Sequence, residues 1–177
     1  MSSLVKYIVR FCLFILVQVF VLNQIPPLHH FVTPYLYFLF ILWLPFKMRR
    51  RFQMILAFLL GFTLDCFTKT YGLHAAACVL IAYGRPFLIN LLISQEGSES
   101  NYNEPSIRSM GFTPYVTYAA ILTLAHHSFL FFLEALQMGG FFYFFLKTII
   151  SAAVSLLLIL LTELLFPRNQ RFKTNTV

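Results

Sequence analysis

Long apolar runs separated by short polar punctuation set the pattern of this chain. Six of them stand out, at residues 4–22, 28–46, 52–67, 72–93, 112–136 and 141–166. A helix that crosses about 30 Å of hydrocarbon needs about 20 such residues at 1.5 Å rise each. The pattern therefore predicts an all-α bundle of six transmembrane helices in one domain, with a polar loop at 94–111 and a basic tail at 167–177. Two runs are less regular. Residues 28–46 contain Pro34 and close on Pro45, so this run is read as a short or broken helix. Residues 52–67 span the core only if Arg50 and Arg51 reach back to the interface.

Composition agrees with the pattern. Of 177 residues, 59% are hydrophobic and 11% charged, against about 25% charged in soluble domains. Mean hydropathy is +0.78. An integral membrane protein is the class that holds this much apolar surface. The first run ends at "NQIPP" rather than at a small-residue cleavage site, so it reads as a span and not as a removable leader. Cys12, Cys66 and Cys78 form no C-x-x-C pair, so no disulfide framework or zinc site is indicated.

The net charge of +7 is explained by orientation rather than by nucleic acid. With both termini in the cytoplasm, that side receives Lys6, Arg10, Lys47, Arg49, Arg50, Arg51, Arg108, Arg168, Arg171 and Lys173. The other side receives only Lys69 and Lys147. This is the asymmetry expected of positive-inside topology, and "KMRRR" sits where anionic headgroups attract it.

Polar residues within the runs are the candidate sites. Asp65 lies near the outer end of the third run. Gly61, four residues earlier, shares its helix face and permits close approach of another helix. The turn "TKTYG" returns the chain through Gly72, and His74 opens the fourth run beside Asp65. Asp65 is expected to cap this turn, to hydrogen-bond His74, or to offer a partner a polar contact. Arg85, before Pro86, must reach the interface or find a partner in the bundle. His126 and His127 point about 100° apart on a helix, which disfavours a shared metal and favours contacts between helices. Glu134 with Lys147, and Glu163 with Arg168, are placed to pair. The loop acids Glu96, Glu99 and Glu104 read as a solvated connection. No nucleophile, base and orienter constellation is present, so no enzyme, cofactor or metal site is expected.

The stretch "GFTLDCFTKTYGLHAAACVLIAY", residues 61–83, resembles the signature region of the rod shape-determining MreD family. Gly61, Asp65, Gly72, Leu73, His74, Ala82 and Tyr83 match its Gly-x-x-x-Asp, turn, Gly-Leu-His and Ala-Tyr steps. Tyr71 precedes Gly72 where many members have Leu-Gly, and Cys66 replaces a frequent aliphatic residue. The resemblance implies a non-enzymatic subunit of the bacterial cell-elongation machinery in the cytoplasmic membrane. It would bind MreC and support peptidoglycan synthesis and cell shape beside MreB, a RodA-type glycosyltransferase and a class B penicillin-binding transpeptidase. Gly61 would be the close-approach point, Asp65 the polar contact and His74 its hairpin partner. MreD proteins also look similar in fold to the substrate-binding subunits of energy-coupling-factor transporters. That likeness carries an alternative function, binding of a vitamin-like small molecule through Asp65, His74 and Glu134.

Overall fold

A computed structural model describes residues 3–24, 32–70, 72–93, 102–138, 141–166 and 168. Tyr71, residues 28–31 of the second apolar run, Glu96 and Glu99 of the polar loop, the glycines of "QMGG", and Arg171 and Lys173 of the tail lie outside these residues. Most described residues are helical, and five helices are long and apolar enough to cross a membrane. The elements are α1 (Ser3–Phe20) followed by a 3-10 turn (Leu22–Gln24), α2 (Leu39–Leu42), α3 (Arg50–Thr68), α4 (Leu73–Leu92), α5 (Ile107–Met110), α6 (Phe112–Met138) and α7 (Phe141–Leu165). α1 lies against α3, α3 against α4, α4 against α6 and α6 against α7, while α2 touches α1, α3 and α4. Large apolar side chains cover the outside, among them Phe52, Phe58 and Phe62 on α3 and Leu157, Leu161 and Leu164 on α7. That surface suits lipid rather than water.

The second run departs from the expected six-helix bundle. Its described part is not a spanning helix. The chain is extended near Thr33 to Leu36, turns at Tyr37 and Phe38, and forms only the four-residue α2 before Pro45. Tyr37 to Leu44 are all buried, with Trp43 the most exposed at 7%. Irregular backbone at membrane depth survives only where protein supplies its hydrogen bonds. Here the supply is specific. Ser151 Oγ of α7 accepts from Thr33 N at 3.0 Å, and Ser155 Oγ accepts from Tyr35 N at 2.9 Å. Gln18 Oε1 of α1 accepts from Leu36 N at 2.8 Å and from Tyr37 N at 3.4 Å, while Gln18 Nε2 donates to Pro34 O. Pro34 has no N–H to satisfy. Lower down, Tyr118 donates to Leu42 O at 3.0 Å, Arg85 donates to Leu44 O, and Phe46 N reaches Asn103 O at 3.0 Å. The segment is a central strut, clamped by side chains of α1, α4, α6 and α7.

The strut runs from the level of Ser151 and Gln18 toward the end of the bundle occupied by Glu104. Glu104 is 3% exposed, so it is not part of a solvated loop. Its carboxylate receives Lys6 at 3.0 Å and Arg10 at 2.9 Å from α1, and Arg168 beyond α7 at 3.6 Å. The first and last described helices thus terminate together at one end of the bundle. Glu163 accepts from Arg168 at 2.6 Å, from Tyr115 at 3.1 Å and from Ile107 N at 3.3 Å. Trp43, at the foot of the strut, has the guanidinium groups of Arg10 and Arg168 over its ring, 5.3 and 4.0 Å from the centroid. Arg50 folds over the ring of Tyr83 at 4.5 Å, an apolar seat for a charge at the start of α3.

Candidate functional site

The opposite end of the bundle holds the α3–α4 hairpin, and its sequence explains its shape. α3 ends at Lys69, which takes the left-handed conformation (φ 59°, ψ 30°) and returns its N–H to Asp65 O. Gly72 then turns the chain with φ +93°, a value that favours glycine. Lys69 is exposed, so its side chain contributes no packing, while a β-carbon in this conformation costs about 1 kcal/mol. Lys69→Gly is expected to raise the unfolding free energy by roughly that amount, read as an increased Tm in detergent. An unchanged or lowered Tm would contradict it.

Asp65 is fully buried on α3, and its carboxylate accepts four hydrogen bonds. Oδ1 receives Thr70 Oγ1 at 3.1 Å and His74 N at 3.0 Å. Oδ2 receives Gly72 N and Ala75 N, each at 3.0 Å. Three of the four donors are N–H groups at the start of α4, which no residue of α4 itself caps. A helix N-terminus carries unpaired N–H groups and partial positive charge, so it takes an anion readily. The preceding helix supplies that anion. Asp65 is therefore not displayed to a partner. Its link to His74 runs through the His74 backbone, not through the imidazole.

Gly61 sits one turn below on the same face. A β-carbon there would lie 2.5 Å from Ala75 Cα and 2.6 Å from both Ala75 N and His74 O. The close approach is thus to α4 of the same chain, not to another protein. Gly61, Asp65, Gly72 and His74 form one unit that seals α3 to α4. Arg85 lies elsewhere, nearer the Glu104 end. It is fully buried and donates to Tyr118 Oη at 2.9 Å, to Gln53 Oε1 at 3.2 Å and to Leu44 O. No described carboxylate pairs with it. Its charge faces the Leu44 carbonyl just past the C-terminus of α2, where a cation is favoured.

The His74 imidazole joins a second set of buried polar groups around the strut. Tyr37 Oη lies 2.9 Å from His74 Nδ1 and 2.8 Å from His126 Nε2. His126 Nδ1 has no partner among the described residues, which favours placing the ring hydrogen on Nε2, since a bare acceptor costs less than an orphaned donor. His126 then donates to Tyr37, and Tyr37 donates to His74. His127 Nδ1 donates to Thr123 O at 2.9 Å, so Nε2 accepts from Ser155 at 3.0 Å, the same serine that holds Tyr35 N. The two adjacent histidines thus serve different neighbours, as their angular separation requires. No group of three or more His, Cys, Asp or Glu suited to a metal occurs among the described residues.

Sequence reasoning missed Gln18, Tyr37, Ser151 and Ser155, and placed Glu104 in solvent. Polar residues inside apolar runs were the available signal, but their partners lie far away in sequence. Asp65, His74 and Glu134 each have partners within the protein. The first two are buried and bonded within the protein, while Glu134 accepts both contacts of Lys147, at 2.9 and 2.8 Å.

The lipid-facing side of the hairpin carries an open apolar groove of about 540 Å³. Gly72, Ala75, Ala76 and Val79 line it, with Phe58 and Met54 of α3, Leu80 and Tyr83 of α4, and Phe129 of α6. Compared with protein-family models, curated proteins and solved structures, the chain matches none of them.

Proposed function

We propose that this chain is a non-enzymatic membrane subunit of the bacterial cell-elongation complex, and that it acts as a shaped, lipid-embedded surface for a partner of the MreC type. The observation that carries the reading is the division of labour in residues 61–83. The residues that resemble the MreD signature weld α3 to α4 from within. The same hairpin turns small side chains outward into an apolar groove. In lipid, helices associate by close packing where small residues let backbones approach. A single spanning helix of MreC is the occupant this reading assigns to the groove. MreB, a RodA-type glycosyltransferase and a class B penicillin-binding transpeptidase belong to the same proposed complex.

Placement in the bacterial cytoplasmic membrane, with both termini cytoplasmic, is part of the proposal. It is supported by Lys6, Arg10 and Arg168 meeting on Glu104 at one end of the bundle. It is supported further by Arg50, Arg51 and Arg108, which begin or flank helices at that end. An even number of passages is consistent with the strut acting as a non-helical crossing among five helices.

The transporter alternative has less to stand on, since the polar residues it would use are occupied by internal contacts.

Ala76 tests the scaffold reading, because it lines the groove and is only partly covered. Ala76→Phe is expected to leave Tm within about 1 kcal/mol equivalent of the native value, as an exposed-side substitution does. Co-purification of an MreC-type partner and control of cell width should both fall sharply. A folded Ala76→Phe protein that retains its partner in full would count against the reading.

A further inference from the structure

Among the described residues, the ion cluster at the Glu104 end carries a positive excess. Lys6, Arg10 and Arg168 bring three positive charges to two carboxylates, Glu104 and Glu163. Glu104 Oε1 is taken by Lys6, and Oε2 by Arg10 with Arg168 at the longer distance of 3.6 Å. Glu163 is taken by Arg168 Nη2, Tyr115 and Ile107 N. Arg168 also donates to Pro105 O at 2.5 Å. Its Nε and Nη1 have no hydrogen-bond partner among the described residues, although the residue is only 8% exposed. A buried guanidinium with orphaned donors and a surplus positive charge carries a penalty that one further anion would remove. Lys6 and Arg10 form the accessible rim, with side chains 22% and 15% exposed against 7% for Arg168.

Position selects the kind of anion. The cluster joins the first turns of α1 to the residue just beyond α7, where a spanning bundle meets the headgroups. A phosphate group offers several acceptor oxygens and one negative charge, and arginine donors match its geometry. Basic pockets between helices at this depth suit anionic headgroups. We propose that Lys6, Arg10 and Arg168 form a binding site for a phosphate monoanion, supplied by an anionic phospholipid of the adjoining leaflet. The lipid phosphate meets the Lys6 and Arg10 rim and balances the charge of the cluster that holds Arg168. The lipid then becomes part of the joint between α1 and the residue just beyond α7. This proposal does not depend on which partner occupies the α3–α4 groove.

The test uses the full chain, purified in a neutral detergent and titrated with short-chain phosphatidylglycerol, short-chain phosphatidylcholine or inorganic phosphate. Bound lipid is read by native mass spectrometry and stabilisation by Tm. Phosphatidylglycerol is expected to bind and raise Tm, and phosphatidylcholine to do neither. Loss of one basic residue should weaken phosphatidylglycerol binding about fivefold, the worth of one Lys or Arg near an anionic headgroup. That loss is expected for Arg168→Gln, and also for Lys6→Gln, which removes the surplus charge from the rim and serves if the buried variant does not fold. Lys147→Gln, at the other end and paired with Glu134, should bind as the native chain does. Stabilisation by inorganic phosphate equal to that by phosphatidylglycerol would keep the anion site but assign it to free phosphate. Equal binding of the two lipids, or undiminished phosphatidylglycerol binding by folded Lys6→Gln, would overturn the proposal.

Discussion

Gly61→Ala is expected to destabilise the protein by about 3 kcal/mol, the upper part of the range for forcing extra volume into a packed core. The three atoms nearest the added carbon, Ala75 Cα, Ala75 N and His74 O, are all backbone. Rotation of a side chain cannot relieve these contacts. The helices must separate, and separation at this level pulls Asp65 away from the N–H groups of His74 and Ala75. Packing and capping fail together. Gly84 provides the contrast, since a β-carbon there meets nothing within 4 Å. Gly84→Ala should be neutral or stabilising by up to about 1 kcal/mol, the helix-propensity gain alone. Unfolding in detergent, monitored by Tm and by denaturant midpoint, measures both. A Gly61→Ala protein as stable as the native one would refute the described α3–α4 contact.

Asp65→Ala is expected to cost about 4 kcal/mol, within the range for breaking a buried, charged hydrogen-bond set. It leaves the N–H groups of Gly72, His74 and Ala75 without the acceptor that serves the start of α4. Water does not reach His74 and Ala75, which are 3% exposed each. Asp65→Asn should fall between Ala and native, because an amide retains one acceptor oxygen but turns donors toward remaining donors. Tm of the three proteins, with protease resistance of the hairpin, checks this order. Because Asp65 is enclosed, any effect on a partner follows from the folded fraction and not from a lost contact. That separates it from Ala76→Phe, where binding is expected to fall while folding persists. A fully stable Asp65→Ala chain would contradict the capping role.

Much of the helical framework was written in the apolar runs. The third apolar run covers 52–67 and the helix occupies Arg50–Thr68, with Arg50 over the Tyr83 ring at its start. The second run was not legible. Hydropathy does not distinguish a helix from an extended strut when both are buried, and Pro34 and Pro45 only hinted at the break. What decides the matter is Gln18 on one side in sequence, and Ser151 and Ser155 more than a hundred residues away on the other. Glu104 was misplaced for the same reason, since its acidity suggested solvent and its cationic partners come from the two chain ends. The hairpin was half legible. Spacing put Gly61 and Asp65 on one face and brought His74 near, but not that the carboxylate would serve backbone N–H groups. Arg85 was open between interface and bundle, and the Leu44 carbonyl it meets is there only because the strut ends beside it.

The proposed function lies on the outer surface, since the polar interior is occupied with holding the strut and the hairpin together. The most direct measurement is a photo-crosslinking residue placed at Val79, in the groove, with one at Leu157 on the exposed face of α7 as comparison, in growing cells. The account predicts a discrete protein adduct from Val79, identified as a single-span membrane protein of the MreC type, and only lipid adducts from Leu157. Lipid adducts alone from both positions would contradict it.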